Sequence, residues 1–166
     1  MNRLLRHIAI STLLAACILL TACGDDSCYD NGSSLPLAEF YMGTSKQTIS
    51  LITVMGIGAP GDSLLADGSN INELYLPLRA SVTTTSFEIS RPIDDDITVT
   101  DTLTIHYQPI AFFHSKECGA MYNFDISSTN YTHNGIDSVV ILNTLVTNAL
   151  TPSMRIYFTD FSDFDL

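Results

Sequence analysis

The chain has 166 residues, 7 basic and 18 acidic, with a net charge of −11 when histidine is neutral. That acidity argues against nucleic acid and anionic lipid as ligands and leaves cations, basic proteins and neutral glycans open. The length and a 46 % share of hydrophobic residues suit one domain with a real core.

Residues 1–22 read as a bacterial lipoprotein signal peptide. Arg3 and Arg6 supply the positive start, Ile8 to Leu20 the apolar run, and Thr21 and Ala22 the small residues at the cut site. Leu20-Thr21-Ala22-Cys23 is a lipobox, which makes Cys23 the lipidated first mature residue. The chemistry needs a thiol there, because diacylglycerol is attached to sulfur. Each buried methylene of its palmitate-like chains adds about 0.8 kcal/mol of membrane affinity, so two or three chains anchor essentially permanently. The apolar run is too short to span a bilayer comfortably, and no basic stop-transfer cluster follows it. With Arg3 and Arg6 removed, the mature chain keeps 5 basic and 18 acidic residues, a net charge of −13.

Residues 23–34 combine lipidated Cys23 with a tether rich in Asp, Gly and Ser. Asp25-Asp26 just past the cysteine is a position used for lipoprotein sorting, and a merely soluble linker explains it equally well. Cys17 leaves with the signal, so Cys28 and Cys118 remain in an oxidising compartment, and a Cys28–Cys118 disulfide is the natural pairing. Closing that loop stabilises by about 4 kcal/mol on the chain-entropy model. A zinc site from Cys28, His114 and Cys118 is the alternative, and its spacing matches no usual pattern.

From Leu35 to Leu166 the hydrophobic period is two. Strands are expected at Leu37–Tyr41, Thr48–Ile57, Ile71–Leu78, around Phe87 and Ile89, around Leu103–Tyr107, at Tyr122–Ile126, Asp137–Leu142 and Met154–Phe158. Turn chemistry separates them at Gly58-Ala59-Pro60-Gly61-Asp62, Asp67-Gly68 and Asn134-Gly135. No segment has helical periodicity. About eight short strands predict an all-β fold, a single antiparallel, immunoglobulin-like β-sandwich over 35–166.

The motifs yield no catalytic constellation. Gly56-Ile57-Gly58-Ala59-Pro60-Gly61 matches the dinucleotide-binding glycine pattern, but no helix follows to face a pyrophosphate, so it reads as a hairpin loop and no cofactor is expected. Asp94, Asp95 and Asp96, with Asp101 nearby, are a weak calcium candidate. They lack EF-hand spacing, and a solvated hairpin loop is the plainer reading. His106, His114 and His133 lie on separate segments without a nucleophile elbow or zinc motif. Glu39, Glu73, Glu88 and Glu117 are scattered, though two could meet in space as an acid/base pair. Asp62-Ser63-Leu64, Asp101-Thr102-Leu103 and Asp137-Ser138-Val139 resemble the acceptor site of the Bacteroidota O-glycosylation system, with Ser63 the best-placed candidate. The tail after Phe158 alternates aromatics with acids and reads as a frayed or self-packed end.

The order of several short motifs resembles a Bacteroidota lipoprotein family catalogued as a domain of unknown function (6452). They are Leu35-Pro36-Leu37, Gly61-Asp62-Ser63-Leu64-Leu65, Glu73-Leu74-Tyr75-Leu76-Pro77-Leu78, Asp101-Thr102-Leu103, Glu117-Cys118-Gly119 and Arg155-Ile156-Tyr157-Phe158. The resemblance implies paired framework roles for Cys28 and Cys118 and carries over no catalytic residue. The expectation is an outer-membrane lipoprotein on the periplasmic or cell-surface face. It is read as a non-enzymatic binding or assembly module for an envelope protein. The alternatives are a glycan- or small-molecule-binding lipoprotein, with Tyr41, Tyr75, Tyr131 and Tyr157 as a possible aromatic platform, and a hydrolase with an unrecognised carboxylate site.

Overall fold

The computed structural model describes residues 34–59, 61, 63–115 and 119–162. The signal peptide, Cys23, Cys28, Asp62 and Cys118 lie outside the described residues. Eleven strands follow in chain order: β1 (Leu37–Met42), β2 (Ser45–Lys46), β3 (Ile49–Gly56), β4 (Leu64–Ile71), β5 (Glu73–Tyr75), β6 (Thr84–Pro92), β7 (Thr98–Ser115), β8 (Gly119–Tyr131), β9 (Ile136–Ile141), β10 (Leu145–Val146) and β11 (Pro152–Phe158). Among the described residues there is no helix.

Two sheets enclose one core. Sheet A runs β2-β1-β11-β9, with β5 also pairing β1, and sheet B runs β10-β8-β7-β6-β3-β4. Alternation sets the inward faces. Ala38 and Phe40 of β1 and Met154, Ile156 and Phe158 of β11 meet Ile52, Val54, Phe87, Ile89, Leu103 and Ile105 of sheet B. Burying one such side chain stabilises by about 1.5–3 kcal/mol, so this interface dominates the driving force for folding.

The expectation of an all-β fold with two sheets holds, but its details need correction. The sandwich is not wholly antiparallel, because β1 and β11 pair in parallel, Phe40 opposite Ile156 and Tyr41 opposite Tyr157. Period two reports burial and is blind to strand direction. Sheet B curls into a half-barrel, unlike the two aligned layers of an immunoglobulin-like sandwich. Nor are all the strands short, since β7 has 18 residues and β8 has 13. The expected strand Ile71–Leu78 is divided, with Ile71 ending β4 and only Glu73–Tyr75 forming β5 ahead of Pro77, which cannot donate to a ladder. Asp67-Gly68, read as a turn, instead lies inside β4. There Gly68 has φ +50, its N–H donates to Thr53 Oγ1 at 3.0 Å, and the β3–β4 register shifts as in a bulge.

Inward positions on β7 change character along the strand. Leu103 and Ile105 are apolar, while Asp101 and Tyr107 at either end are polar and buried. Asp101 serves the crossover from β8 in sheet B to β9 in sheet A. Its Oδ1 accepts from Thr132 Oγ1 at 2.6 Å and Asn134 N at 2.7 Å, and its Oδ2 from Gly135 N at 2.6 Å and Ile136 N at 2.9 Å. Gly135 is required because a Cβ there would stand 2.7 Å from Val99 Cγ2 and 3.3 Å from Asp101 Oδ2. Replacing Asp101 with Asn turns one acceptor atom into a donor facing backbone N–H or hydroxyl donors. Asp101→Asn should cost about 3 kcal/mol in guanidinium unfolding, the scale of lost charge-assisted hydrogen bonds in a buried site.

Candidate functional site

Six residues along β7 from Asp101, at its midpoint, the Tyr107 hydroxyl holds a strap, residues 76–80. It donates to Arg79 O at 2.9 Å and accepts from Arg79 N at 3.0 Å. With its single proton committed to that carbonyl, the 2.7 Å contact with Thr85 Oγ1 has threonine as donor. Leu76, fully buried, ties the start of the strap through its N–H to Pro36 O at 2.9 Å. Apolar clefts flank the strap and share Pro77 and Leu78 as a wall. One, of about 240 Å³, lies against Gly56, Ile57, Leu65 and Phe87. The other, of about 360 Å³, lies against Leu35, Met121, Tyr122 and Phe124.

Beyond the second cleft the β7–β8 hairpin continues as an arm. The β6 pairing ends at Thr84 opposite His106, and β10 pairs only Phe124 and Asp125 of β8. Past those points, Pro109 to Ser115 and Gly119 to Asn123 pair with each other and with no other described strand. The arm is apolar on both faces, with Phe113 70 % exposed, Ile110 43 % and Tyr122 39 %. The described chain begins at its foot, where the buried Ser34 donates through Oγ to Asn123 Oδ1 at 2.8 Å.

The outward face of sheet A carries a second cluster. Tyr41 and Tyr157 are cross-strand partners with ring centroids 5.2 Å apart, and Arg155 Cζ lies 4.8 Å over the Tyr41 ring. Lys46 Nζ bridges Glu39 Oε1 at 3.0 Å and Glu73 Oε2 at 2.5 Å. Two of the scattered glutamates thus meet, but across a lysine. Arg155 Nε is 3.5 Å from Glu39 Oε2, close enough for ionic attraction and without a hydrogen bond. Of the other tyrosines, Tyr75 faces Leu37 on the same sheet and Tyr131 packs at the core margin on sheet B.

The remaining sequence-predicted residues stay apart. Asp94, Asp95 and Asp96 lie in the exposed β6–β7 loop, where Asp94 Oδ1 accepts from Asp95 N at 2.7 Å. Asp101 is buried away from them and committed to the crossover. Among the described residues no three metal-binding side chains gather. His106 stands between Thr84 Oγ1, 3.3 Å from Nδ1, and Asn130 Nδ2, 3.1 Å from Nε2. His133 lies by the β8–β9 crossover with its ring 4.8 Å from that of Tyr131. Ser63 is exposed at the start of β4, and Thr102 and Ser138 are half-buried within strands. At the Asp101 end, Arg91 lies 5.4 Å under Phe158 and 5.2 Å from Phe161 and donates to Thr159 O at 2.5 Å, so the tail begins packed. Burial pushes the Arg91 guanidinium below its ordinary value, against the pull of Asp101 and Asp160.

The strap, its tyrosine clasp and the arm escaped the sequence reading. Pro77 inside a strand pattern and the run Ile110-Ala111-Phe112-Phe113, which breaks alternation, were the available signals.

Burial raises the Glu39 carboxyl, but Lys46 and Arg155 more than offset this and hold it below its ordinary 4.5. A carboxyl depressed in the folded state stabilises the fold above its unfolded value, and this is lost as pH falls through the folded one. Glu39→Gln should therefore be less stable than wild type at neutral pH, and denaturation at stepped pH should show the gap closing below pH 4.5.

No curated protein and no solved structure matches the chain. Residues 51–158 match the model of a family of unknown function, DUF6452, and the chain belongs to that family.

Proposed function

We propose that the protein is a bacterial outer-membrane lipoprotein, of the Bacteroidota kind, that binds an envelope partner without transforming it. The lipobox Leu20-Thr21-Ala22-Cys23 supports the anchor. The β7–β8 arm carries the binding reading. It offers strand edges that no other described strand pairs, beside exposed Phe113 and Tyr122 and an apolar cleft below, the combination that strand addition uses. The partner is an extended apolar segment of another envelope protein, with basic flanks suited to a domain of strong negative charge.

A second reading, a glycan-binding lipoprotein, is favoured by the Tyr41–Tyr157 pair on the outward face of sheet A. Tyr157→Ala would then lose retention on envelope polysaccharide, while strand addition leaves retention unchanged.

The disulfide is part of the same proposal. Ser34 is hydrogen-bonded to Asn123. Five residues separate Asn123 from Cys118 in sequence, at most about 18 Å of extended chain. The six residues from Ser34 back to Cys28 reach about 20 Å, enough to cover it. The bond would join the N-terminal segment to the β7–β8 connection.

Three measurements test these statements. Cys23→Ala should leave a precursor without labelled acyl chains, and acylation of the mutant would remove the anchor. Non-reducing peptide mapping of exported protein should recover Cys28 joined to Cys118, and two free thiols would refute the pairing. A photo-crosslinker at Tyr122 should give one protein adduct that Phe113→Ser abolishes, while the same probe at Val140 on sheet A gives none. Adducts with lipid alone, or equal adducts at Val140, would overturn the arm as the contact.

A further inference from the structure

Cations are scarce in this protein, and where each one goes is informative. The mature chain has Lys46, Arg79, Arg91, Lys116 and Arg155. Lys46 bridges two glutamates, Arg155 lies beside Glu39, and Arg91 is buried against aromatic rings at the Asp101 end. Among the described residues Arg79 has no carboxylate partner. Its guanidinium nitrogens reach only the carbonyls of Gly58 and Thr84, both at 3.4 Å, near the limit for a hydrogen bond. In a chain with this excess of acid, an arginine with no carboxylate partner among the described residues, and with two of its five N–H donors in long contacts, has donors to spare for a ligand.

The position of Arg79 is fixed as well. The Tyr107 hydroxyl holds both its N–H and its carbonyl, and Thr85 orients that hydroxyl. This fixes the root of the side chain at the smaller cleft, whose lining is mainly apolar and includes Ile57, Leu65, Leu78 and Phe87. A cationic fork on a rigid root above an apolar slot is complementary to an anion carried on a hydrocarbon body. The cleft's 240 Å³ equals about eight water volumes, the scale of a medium-length chain. The net charge of −13 in the mature chain opposes anions in general, so the pairing depends on Arg79 alone and suits a single carboxylate and not a polyanion.

We propose that this cleft binds a medium-chain monocarboxylate. The carboxylate pairs with the Arg79 guanidinium and the chain lies against Leu65, Leu78 and Phe87. The site is separate from the arm, so it stands or falls independently of the strand-addition reading.

The test is an NMR titration of the mature chain, residues 23–166 with Cys23→Ser, which carries neither the apolar signal nor acyl chains, with octanoate below its micelle concentration. Saturable shifts are expected at the Arg79 amide and the Leu65 and Leu78 methyls, without matching shifts at Met121 or Phe113. Arg79→Gln keeps the backbone bonds to Tyr107, so it should fold normally and bind octanoate at least about tenfold more weakly. Arg79→Lys should recover part of the loss. Octan-1-ol should bind wild type more weakly than octanoate does and be indifferent to Arg79→Gln. The proposal is overturned if octanoate gives no saturable shift, if Arg79→Gln leaves its affinity unchanged, or if octanol binds as well as octanoate.

Discussion

The fold depends on one buried carboxylate. Asp101 sits where the chain leaves sheet B for sheet A, and the backbone there must turn within the protein. Three consecutive N–H groups, from Asn134 to Ile136, would otherwise be left without partners in a region the sheets close off. The two carboxylate oxygens satisfy all three and the Thr132 hydroxyl. A neutral side chain of this shape offers fewer acceptors, so the charge is held for its hydrogen-bonding capacity. Thr132 Oγ1 also accepts from Thr102 N at 2.9 Å, which ties the crossover to the strand beside Asp101.

Tyr107 performs the matching task six residues along the same strand. The inward row Asp101, Leu103, Ile105, Tyr107 is apolar in its middle and polar where the sandwich ends and irregular backbone must be held. Each terminal residue fixes a segment that no ladder reaches, the crossover at one end and the strap at the other. β7 is thus the common reference for sheet A, the strap and the arm. The clefts follow from that geometry, since they are the spaces left on either side of a strap pinned at Arg79.

Much of the core was legible from alternation. Phe87 and Ile89, Leu103 and Ile105, and Ile156 and Phe158 are buried as their spacing predicts. Direction was not legible, since the parallel pairing of β1 with β11 joins segments whose sequences say nothing of each other. The roles of Asp101 and Tyr107 were hidden for a related reason. As part of an acid-rich stretch Asp101 looks like surface, and only the fold brings Asn134 and Gly135 to it. Of the tyrosines named for a platform, Tyr41 and Tyr157 meet, through that same unforeseen strand pairing. Arg79 gained significance only when the other described cations were seen to be occupied.

The pairing of β1 with β11 also governs when the protein can acquire its structure. β11 lies between β1 and β9, so sheet A has no centre until residues 152–158 are present. Sheet B, built largely from hairpins between neighbouring strands, can assemble while the chain is still emerging. Until the last strand arrives, Phe40 on one side and Phe87 and Leu103 on the other have no completed partner layer to cover them. A nascent chain would therefore expose half of its core through most of synthesis or translocation. It would close in a single late event when β11 slides between β1, made long before it, and β9, made just ahead of it.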